Sequence, residues 1–327
     1  MAGTVVNKEN KGTFATELVD KAHVAGFFLV KEKVFGTGKN GKSFLSFQLA
    51  DRTGSVDARV WDNAEALQLI VQIGDVVQVR GLVQVFQSRL QLVVHKMERV
   101  SDPDVEPGLL VAASRQTAEA MEQELLTIVN DLAHGPIRTL LQQTLADPQV
   151  RQRLLTHPAA KTIHHAYRSG LLEHILSIAK LMQAIHAHYT AAGAAVDLSY
   201  LIFGAVFHDL GKIWELEGEG PYQYSYRGRL VGHMAIALEM IDAKVANIPD
   251  MDARTLDKLK HIILSHHGKL EYGSPKEPMF LEAALVAMVD EFDSKVAALT
   301  QFISAEKAGG AEWSRLHPQL NRYFLLR

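Results

Sequence analysis

The sequence predicts a multidomain protein in which an N-terminal all-β barrel is followed by a C-terminal all-α bundle of helices. Three observations lead to this prediction. Short stretches of alternating or β-branched apolar residues follow one another between residues 25 and 100, separated by turns. From about Ser114 onward, helical periodicity replaces them. The length of 327 residues also favours two domains over one.

Five predicted strands and one helix define the N-terminal domain. Strand patterns cover residues 25–35, 44–50, 55–61, 75–86 and 89–100, and an amphipathic helix over 64–73 lies between the third and fourth strands. This is the element order of an OB-fold barrel. The segment 47–56, with Asp51, Thr53 and Gly54 at its turn, also resembles the D-x-T-G hairpin of anticodon-binding OB domains. We therefore predict an OB-fold nucleic-acid-binding domain over residues 1–100.

The rest of the chain is predicted to be a linker and a helical domain. Residues 101–113 contain two prolines, a glycine and several acidic residues, which is typical of a linker. The helical domain is predicted to cover residues 114–327, with the core that carries its motifs at 164–304. Helical patterns run over residues 115–133, 136–146, 148–155, 165–192, 198–213, 230–247, 253–266 and 281–304.

Composition excludes several kinds of chemistry. The chain has no cysteine, which excludes disulfides, thiolate metal sites and cysteine nucleophiles together. No apolar run approaches the ~20 residues of a membrane span and no secretory signal is visible, so we expect a cytoplasmic protein. The net charge is −3, but residues 1–100 carry 13 Lys and Arg against 10 Asp and Glu, whereas the remainder carries 21 against 27. This mild asymmetry favours a basic binding module joined to an acidic domain.

Basic and aromatic residues of the barrel predict where single-stranded nucleic acid binds. OB-folds use their second and third strands and neighbouring loops, where rings stack on bases and cations contact phosphates. The alternative is that the two aromatic rings pack against the small helix and the lysines only increase solubility. The candidates are Lys31, Lys33, Lys39 and Lys42 around the first hairpin, Phe44 on the second strand, and Arg59 and Trp61 on the third.

Histidine and aspartate residues of the helical domain form a candidate metal site. Each lies on or beside a predicted helix, so a bundle can direct them into one interior site. Their number exceeds what one ion needs, and the carboxylate of Asp209 can bridge two ions. The alternative is that each histidine is an ordinary core or surface residue, which is how we interpret His186, His188 and His261. In the order H…HD…H…HH…D, the candidates are His174, His208, Asp209, His233, His266, His267 and Asp290.

This set resembles the HD-domain metal-dependent phosphohydrolase superfamily, which is named for the doublet present here as His208-Asp209. The full ligand order resembles the binuclear members of that superfamily. Together with the OB-like domain, the chain resembles the YhaM-type 3′→5′ exoribonucleases over nearly its whole length. The matching stretches are residues 170–174, 208–212, 264–268 and 273–275, together with Asp290.

The resemblance implies two divalent transition-metal ions. Because all candidate ligands are nitrogen or oxygen atoms, Mn²⁺ is expected, with Fe²⁺, Co²⁺, Ni²⁺ and Zn²⁺ as alternatives. Two ions activate water and neutralise phosphate oxygens during in-line attack. The resemblance places one ion among His174, His208, Asp209 and Asp290, and a second among Asp209, His233 and His266, with or without His267.

Further residues are candidates for contact with the substrate. Lys212 lies one helical turn beyond His208, and with Asp209 it is predicted to be catalytic, by stabilising charge on the phosphate or the leaving oxygen. The alternative for Lys212 is a solvated cation at a helix end. Weaker candidates for substrate contacts are His164, His165, Arg168 and Arg229.

The predicted function is metal-dependent hydrolysis of phosphodiester bonds in single-stranded RNA, or single-stranded DNA, from the 3′ end, with release of nucleoside 5′-monophosphates. The direction comes wholly from the resemblance. A cyclic-dinucleotide or other small-molecule phosphodiesterase is one alternative, but the Gly-Tyr-Pro triplet of that class is missing after His267. A non-catalytic RNA-binding protein is another, and the complete ligand set argues against it. The sequence does not predict the oligomeric state.

Overall fold

A computed structural model describes residues 5–38, 41–86, 89–101, 104–106, 109–110, 116–160, 167–218, 222–307, 312–317 and 320–326. Three of the predicted site residues, Lys39, His164 and His165, lie outside the described residues. The chain divides into two units: Met1–Ala113 with Thr300–Arg327, and Ser114–Leu299. The last 28 residues, predicted to belong to the helical domain, therefore group with the first unit, and the predicted domain boundaries stay a prediction.

A five-stranded barrel forms most of the first unit. Its elements in chain order are β1 (Val5–Val6), β2 (His23–Thr37), β3 (Ser43–Asp51), β4 (Gly54–Val60), α1 (Ala64–Ile70), β5 (Val76–Phe86), β6 (Arg89–Arg99) and β7 (Asp104–Val105). The five long strands close in the order β2-β3-β4-β6-β5. Only β4 and β6 pair in parallel among these neighbours. With α1 between the third and fourth barrel strands, the predicted OB-fold is confirmed.

Alternation of apolar and polar side chains builds the barrel interior. On β4, Val56, Ala58 and Val60 are buried, whereas Asp57 is exposed and Arg59 is half-buried, as the period of two predicts. All five long strands contribute apolar side chains to this core. Each fully buried valine, leucine or phenylalanine stabilises the fold by roughly 1.5–3 kcal/mol relative to an exposed one.

The segment predicted to be a linker is partly folded against the barrel. Its strand β7 pairs in parallel with β1. Leu109 and Leu110 are buried in a small apolar cluster with Phe27 and Leu29 of β2. The amide of Arg52 also donates a hydrogen bond to the carbonyl of Leu109. The two leucines explain this packing, because the prolines and acidic residues that mark a linker do not prevent apolar neighbours from docking.

Helices form most of the second unit. Their starts follow local signals, since the side chains of Asp147, Asp197 and Asp252 accept hydrogen bonds from amides in the first turns of their helices. The elements are α2 (Ala118–Asn130), α3 (Pro136–Leu145), α4 (Pro148–Leu154), α5 (Gly170–Ala191), α6 (Leu198–Phe207), α7 (Lys212–Glu215), β8 (Leu216–Glu217), β9 (Gln223–Tyr224), α8 (Tyr226–Leu230), α9 (Gly232–Val245), α10 (Ala253–Ser265) and α11 (Leu281–Lys307).

Two of the predicted helices are interrupted. The pattern over 198–213 predicts one helix, but α6 ends at Phe207 and a turn precedes α7. The pattern over 230–247 also predicts one helix, but α8 ends at Leu230, and α9 begins after Val231 at Gly232, whose φ is 77°. Periodicity misses both breaks because apolar residues continue across them. At the first break, a Cβ on Gly211 would lie 2.0 Å from the carbonyl oxygen of His233, so glycine permits this close approach.

A second close approach joins α6 to α11. The helix α6 is buried from Leu201 to Phe207. A Cβ on Gly204 would lie 2.3 Å from Cγ2 of Val286 on α11, so only glycine fits there. One turn further along each helix, Nε2 of His208 lies 3.7 Å from Oδ1 of Asp290. In the described part of the chain, no helix is both long and apolar enough to cross a membrane.

Candidate metal centre and nucleic-acid interface

The seven predicted metal ligands converge in the second unit. They come from α5, from the turns that follow α6 and α10, from the start of α9 and from the middle of α11. Two local positions differ from the predicted helices: His208 and Asp209 lie in the turn after α6 and not inside a helix over 198–213, and His233 is the second residue of α9 and not the fourth residue of a helix over 230–247. Two groups have ligand atoms that all lie within 4.8 Å of one another: His174, His208 and Asp209, and His233, His266 and His267.

The first cluster consists of His174, His208, Asp209 and Asp290. Nε2 of His174 lies 3.2 Å from Nε2 of His208 and 3.2 Å from Oδ1 of Asp290. Oδ2 of Asp209 lies 3.8 Å from Nε2 of His174 and 3.5 Å from Nε2 of His208. Both histidines are fully buried. Ligand atoms of His174, His208 and Asp209 therefore lie together in the interior, and Oδ1 of Asp290 lies beside both histidines.

The second cluster consists of His233, His266 and His267, and Asp209 joins it to the first. The other carboxylate oxygen of Asp209, Oδ1, lies 3.6 Å from Nε2 of His233 and 3.8 Å from Nε2 of His266. Asp209 thus directs Oδ2 towards the first cluster and Oδ1 towards the second. This is the geometry expected of a carboxylate that bridges two ions.

Every histidine of the two clusters uses its Nδ1 atom within the protein. The acceptors are the backbone carbonyls of Gly204 for His208, Ile263 for His266 and Tyr272 for His267, and carboxylates for His174 and His233. Since these oxygens can only accept, each Nδ1 carries a proton, which leaves Nε2 as the nitrogen that can bind a metal. This is how metal-binding histidines are usually oriented.

The Nε2 atoms differ in what the protein offers them. Those of His233 and His266 are buried without a hydrogen-bond partner among the described residues. Those of His174 and His208 lie 3.2 Å apart, a contact that requires a proton on one of them or a shared cation. Burial alone would lower the pKa of His174, but the carboxylates of Asp290 and Asp293 raise it to about 9.

The charges of the centre are arranged to keep carboxylates ionised and most imidazoles neutral. Burial alone would raise the pKa of Asp209, but Lys212 and the surrounding histidines hold it well below its ordinary value. His208 and His174 do the same for Asp290. Burial lowers the pKa of His208, and lowers that of His266 further. Ionised carboxylates and neutral imidazoles are the forms that bind metal.

Lys212 belongs to this centre. Its ammonium lies 2.6 Å from Oδ2 of Asp209, and only 16% of its side chain is exposed. Burial alone would lower the pKa of Lys212, but Asp209 raises it, so the residue carries a charge inside the site. The alternative of a solvated cation at a helix end is therefore wrong. Lys212 lies close to the His208-Asp209 doublet, as expected. It is, however, the first residue of α7 and not part of α6.

Sequence reasoning missed two carboxylates behind the ligands. Asp293, one turn after Asp290 on α11, accepts a hydrogen bond from Nδ1 of His174 at 2.8 Å. Glu215, at the end of α7, lies 3.2 Å from Nδ1 of His233. Both are buried. The available signal was spacing, because each lies three residues after a predicted site residue and so on the same helix face.

The remaining substrate candidates are less informative. Arg168 and Arg229 are exposed, and neither has a contact that assigns it to the clusters. His164 and His165 lie outside the described residues. Of the histidines excluded from the metal set, His188 is exposed, and His261 accepts a hydrogen bond from the amide of Met279. These last two observations agree with an ordinary structural or surface role.

Three of the predicted nucleic-acid contacts form one surface on the barrel. The ring centroids of Phe44 and Trp61 lie 5.4 Å apart. The guanidinium carbon of Arg59 lies 5.0 Å from the centroid of Phe44. Phe44 also covers Gly36 on the neighbouring strand, whereas 48% of Trp61 is exposed. The rings therefore contact each other, and Trp61 keeps a face open to solvent.

The lysines around the first hairpin divide into two kinds. Lys31 and Lys42 are exposed. The ammonium of Lys33 instead donates to the carbonyls of Gln68 and Val71 at the end of α1, at 2.9 and 2.7 Å. Lys33 thus fastens the small helix to β2, which is a structural role that the sequence pattern did not indicate. Lys39 lies outside the described residues.

Two family models match the chain. The model described as an OB-fold nucleic acid binding domain matches residues 24–100, and the model described as an HD domain matches residues 171–295. The first range contains the barrel strands, and the second contains all seven candidate ligands. An HD domain binds divalent metal, and the two histidine and aspartate groups described above lie inside the matched range.

The chain is also similar to whole proteins. It is 31% identical to the 3′-5′ exoribonuclease YhaM of Listeria welshimeri serovar 6b, across 86% of this chain and 88% of that protein. It is 32% identical to the 3′-5′ exoribonuclease YhaM of Oceanobacillus iheyensis, across 91% of this chain and 92% of that protein. Among solved structures, the second OB-fold domain of replication protein A from Methanococcus maripaludis is 23% identical, with 28% of this chain and 95% of that chain covered and a TM-score of 0.24.

Proposed function

The chain belongs to the family of the YhaM 3′-5′ exoribonucleases, and from this premise we propose that it removes nucleotides from the 3′ end of single-stranded RNA by metal-dependent hydrolysis. The products are nucleoside 5′-monophosphates. The observation that carries the proposal is Asp209, whose two carboxylate oxygens face two separate groups of imidazole nitrogens. In the second group, the buried Nε2 atoms of His233 and His266 have no hydrogen-bond partner among the described residues, and both groups lie in the HD domain.

We propose two divalent ions in this centre. His174, His208, Asp290 and Oδ2 of Asp209 would hold one, and the second cluster with Oδ1 of Asp209 would hold the other. The donors are nitrogen and oxygen atoms without a thiolate, which suits Mn²⁺, our first candidate. When bound, the ions would activate water and neutralise the phosphate oxygens. The protein supplies the ionised carboxylates, the oriented imidazoles and the buried surroundings.

Lys212 supplies positive charge beside the ions. Its ammonium is buried next to Oδ2 of Asp209, so it lies where the charge of a phosphodiester would develop. We propose that it contacts the substrate and is not needed to hold metal. Replacing Lys212 with alanine should therefore slow hydrolysis by about 10²–10³-fold, the usual loss for one preorganised donor.

A matched control for this substitution is Lys244→Ala. Lys244 forms a similar ion pair in the same unit, at 2.9 Å from Asp147 and with 20% of its side chain exposed. It should leave the rate of hydrolysis unchanged. Metal content, measured by elemental analysis, should stay the same in both variants. Loss of metal from the Lys212 variant would contradict a role limited to the substrate.

We propose that the barrel binds the single strand through Arg59 and the open face of Trp61. A guanidinium and an exposed indole at neighbouring positions suit a phosphate and a base, without demanding a particular sequence. Lys31 and Lys42 are exposed on the same hairpin region and can add to the attraction for phosphates. Because the ammonium of Lys33 is held at α1, we leave this residue out of the proposed surface.

An assay with end-labelled RNA tests the proposed function. With the full chain and Mn²⁺, RNA labelled at its 5′ end should shorten progressively, and RNA labelled at its 3′ end should release labelled mononucleotide at once. Chelator-treated protein is the control, and DNA of the same sequence measures the preference between the two nucleic acids. Shortening from the 5′ end, internal cuts, or no hydrolysis with any divalent metal would contradict the proposal.

A further inference from the structure

The five histidines of the two clusters are oriented by two different kinds of acceptor. His208, His266 and His267 direct Nδ1 to backbone carbonyls. His174 and His233 direct Nδ1 to carboxylates. One histidine of this second kind belongs to each cluster. Each ion position that we propose therefore has one histidine ligand supported by a negative charge.

Asp293 supports the first cluster. Its Oδ2 atom accepts from Nδ1 of His174 at 2.8 Å, and its Oδ1 atom accepts from the hydroxyl of Ser177 at 2.5 Å. His174 and Ser177 lie one turn apart on α5, whereas Asp293 lies on α11. The carboxylate is buried and held from both oxygens, so it fixes the ring of His174 relative to Asp290, one turn earlier on its own helix.

Glu215 supports the second cluster in the same way but from a different element. Its Oε1 atom accepts from both the amide and Nδ1 of His233, at 3.0 and 3.2 Å. The backbone of Glu215 is itself held, since its carbonyl accepts from the amide of Ser225 and a Cβ on Gly228 would lie 2.2 Å from that carbonyl oxygen. The start of α9 and the end of α7 are thereby joined at one carboxylate.

We infer that Asp293 and Glu215 are positioning residues that set the metal affinity of the two clusters separately, Asp293 for the first and Glu215 for the second. The inference deepens the proposed function and rests on its two ion positions. A carboxylate behind a histidine fixes the tautomer with its lone pair on Nε2, orients the ring and makes Nε2 a stronger donor. Backbone carbonyls orient a ring but add no net charge.

The experiment measures Mn²⁺ binding to the metal-free full chain by titration calorimetry, one cluster at a time. His233→Ala removes a ligand of the second cluster, so binding then reports on the first. In that background, Asp293→Asn should weaken Mn²⁺ binding by about 10–100-fold, the usual loss when such a partner is replaced. Glu215→Gln should leave it nearly unchanged. In the His174→Ala background, binding reports on the second cluster. There Glu215→Gln should weaken Mn²⁺ binding and Asp293→Asn should leave it nearly unchanged.

Further measurements separate positioning from a general loss of structure. Asp293→Ala should weaken the first cluster more than Asp293→Asn does, because asparagine still offers an acceptor to Nδ1. The metal-free Asp293→Asn and Glu215→Gln variants should have similar free energies of unfolding in urea. Equal losses of affinity in both backgrounds, or none in either, would overturn the inference.

The outcomes also distinguish this inference from the proposed function. Binding of only one Mn²⁺ to the unmodified chain would overturn the two-ion centre, and the inference with it. RNA takes no part in the titration, so a chain that fails to shorten RNA can still show the separate effects of Asp293 and Glu215. In that case the inference would stand and the proposed substrate would be wrong.

Discussion

Both units contain buried charged side chains, but the units differ in whether the protein supplies a partner for each buried polar atom. In the barrel, Lys11 and Asp51 are fully buried and lie 2.9 Å apart. The ammonium also donates to the carbonyl of Thr13 at 2.7 Å, and the carboxylate also accepts from the amide and hydroxyl of Thr53. Every charge in this small network meets a partner supplied by the protein.

The second cluster of the helical unit lacks such partners. The buried Nε2 atoms of His233 and His266 have no hydrogen-bond partner among the described residues, and they lie 3.6 and 3.8 Å from Oδ1 of Asp209. A buried polar atom without a partner costs free energy, so its persistence requires another benefit. The comparison teaches that a completed network maintains the fold, whereas an incomplete one is prepared for a ligand. Four predictions test or sharpen this difference.

The largest effect is expected for Asp209→Ala. This change removes the carboxylate that faces both clusters, so hydrolysis of RNA should fall below detection and the content of bound metal should drop. Asp252→Ala is the control, because Asp252 caps α10 at the surface and should leave both unchanged. The measurements are the RNA assay described above and elemental analysis. A nearly normal rate for Asp209→Ala would show that the bridging geometry has no catalytic role.

The next largest effect is expected for Lys11→Ala, on stability and not on activity. Removing one partner leaves Asp51 buried and unpaired, which typically costs about 3–5 kcal/mol. Hydrogen exchange should therefore show faster opening of β2, β3 and β4, while metal content per folded chain stays unchanged. Lys8→Ala is the control, since Lys8 and Glu106 form an exposed pair at 3.9 Å and its loss should be much smaller. Unchanged exchange for Lys11→Ala would remove the structural half of the comparison.

The convergence of the seven candidate ligands could be predicted from sequence because metal-binding chemistry restricts residue type and order. A histidine-aspartate doublet after an apolar helix is rare without compensation, and His174, the pair His266-His267 and Asp290 add to it at suitable places. The barrel could be predicted because alternation at β4 and the order of strands and helix are local patterns. In both cases short-range information was sufficient.

The supporting contacts could not be predicted because they depend on packing between distant segments. Asp293 and Glu215 have the spacing of ordinary polar residues on amphipathic helices, and only the folded chain brings them to His174 and His233. The sequence predicts Lys33 on a nucleic-acid surface because it lies among the lysines around the first hairpin, yet its ammonium donates to carbonyls at the end of α1. Likewise, no periodicity records the close approach of Gly211 to His233 at the break before α7.

A smaller effect is expected for the double variant Arg59→Ala with Trp61→Ala. It removes one phosphate contact and one stacking face, and a stacked base is worth about 1–3 kcal/mol. Affinity for single-stranded RNA should fall accordingly, and its dependence on salt should become weaker because fewer counterions are released. Hydrolysis of bis-p-nitrophenyl phosphate, which is too small to use this surface, should be unchanged.

The matched control for this double variant is Arg80→Ala with Phe86→Ala. These residues are also exposed on the barrel, but they lie on β5, which pairs with neither β3 nor β4. The control should keep normal affinity for RNA. Equal losses for the two double variants would mean that the barrel attracts RNA through its general charge. No loss for either would assign recognition to the helical unit.

The smallest effect concerns His157, a buried histidine of the helical unit that lies outside the two clusters. Its ring nitrogens lie 2.9 Å from the carbonyl of Arg153 and 3.3 Å from that of Leu216. Burial lowers the pKa of His157 below its ordinary 6.5, so the folded protein keeps the ring neutral. The unfolded chain binds the proton more readily. The stability that His157 contributes is therefore present above pH 6.5 and is lost as pH falls towards the lower pKa of the folded state.

Comparison with His157→Gln isolates this effect, because glutamine does not titrate. We expect the metal-free variant to lose less stability than the unmodified protein as pH falls from 6.5, with a difference of at most about 1.4 kcal/mol per pH unit. Urea unfolding between pH 8 and pH 5 measures it, and the difference at pH 8 is the reference. A constant difference across this range would mean that His157 is not held neutral. Burial would then be insufficient to keep a histidine outside the two clusters in its neutral form.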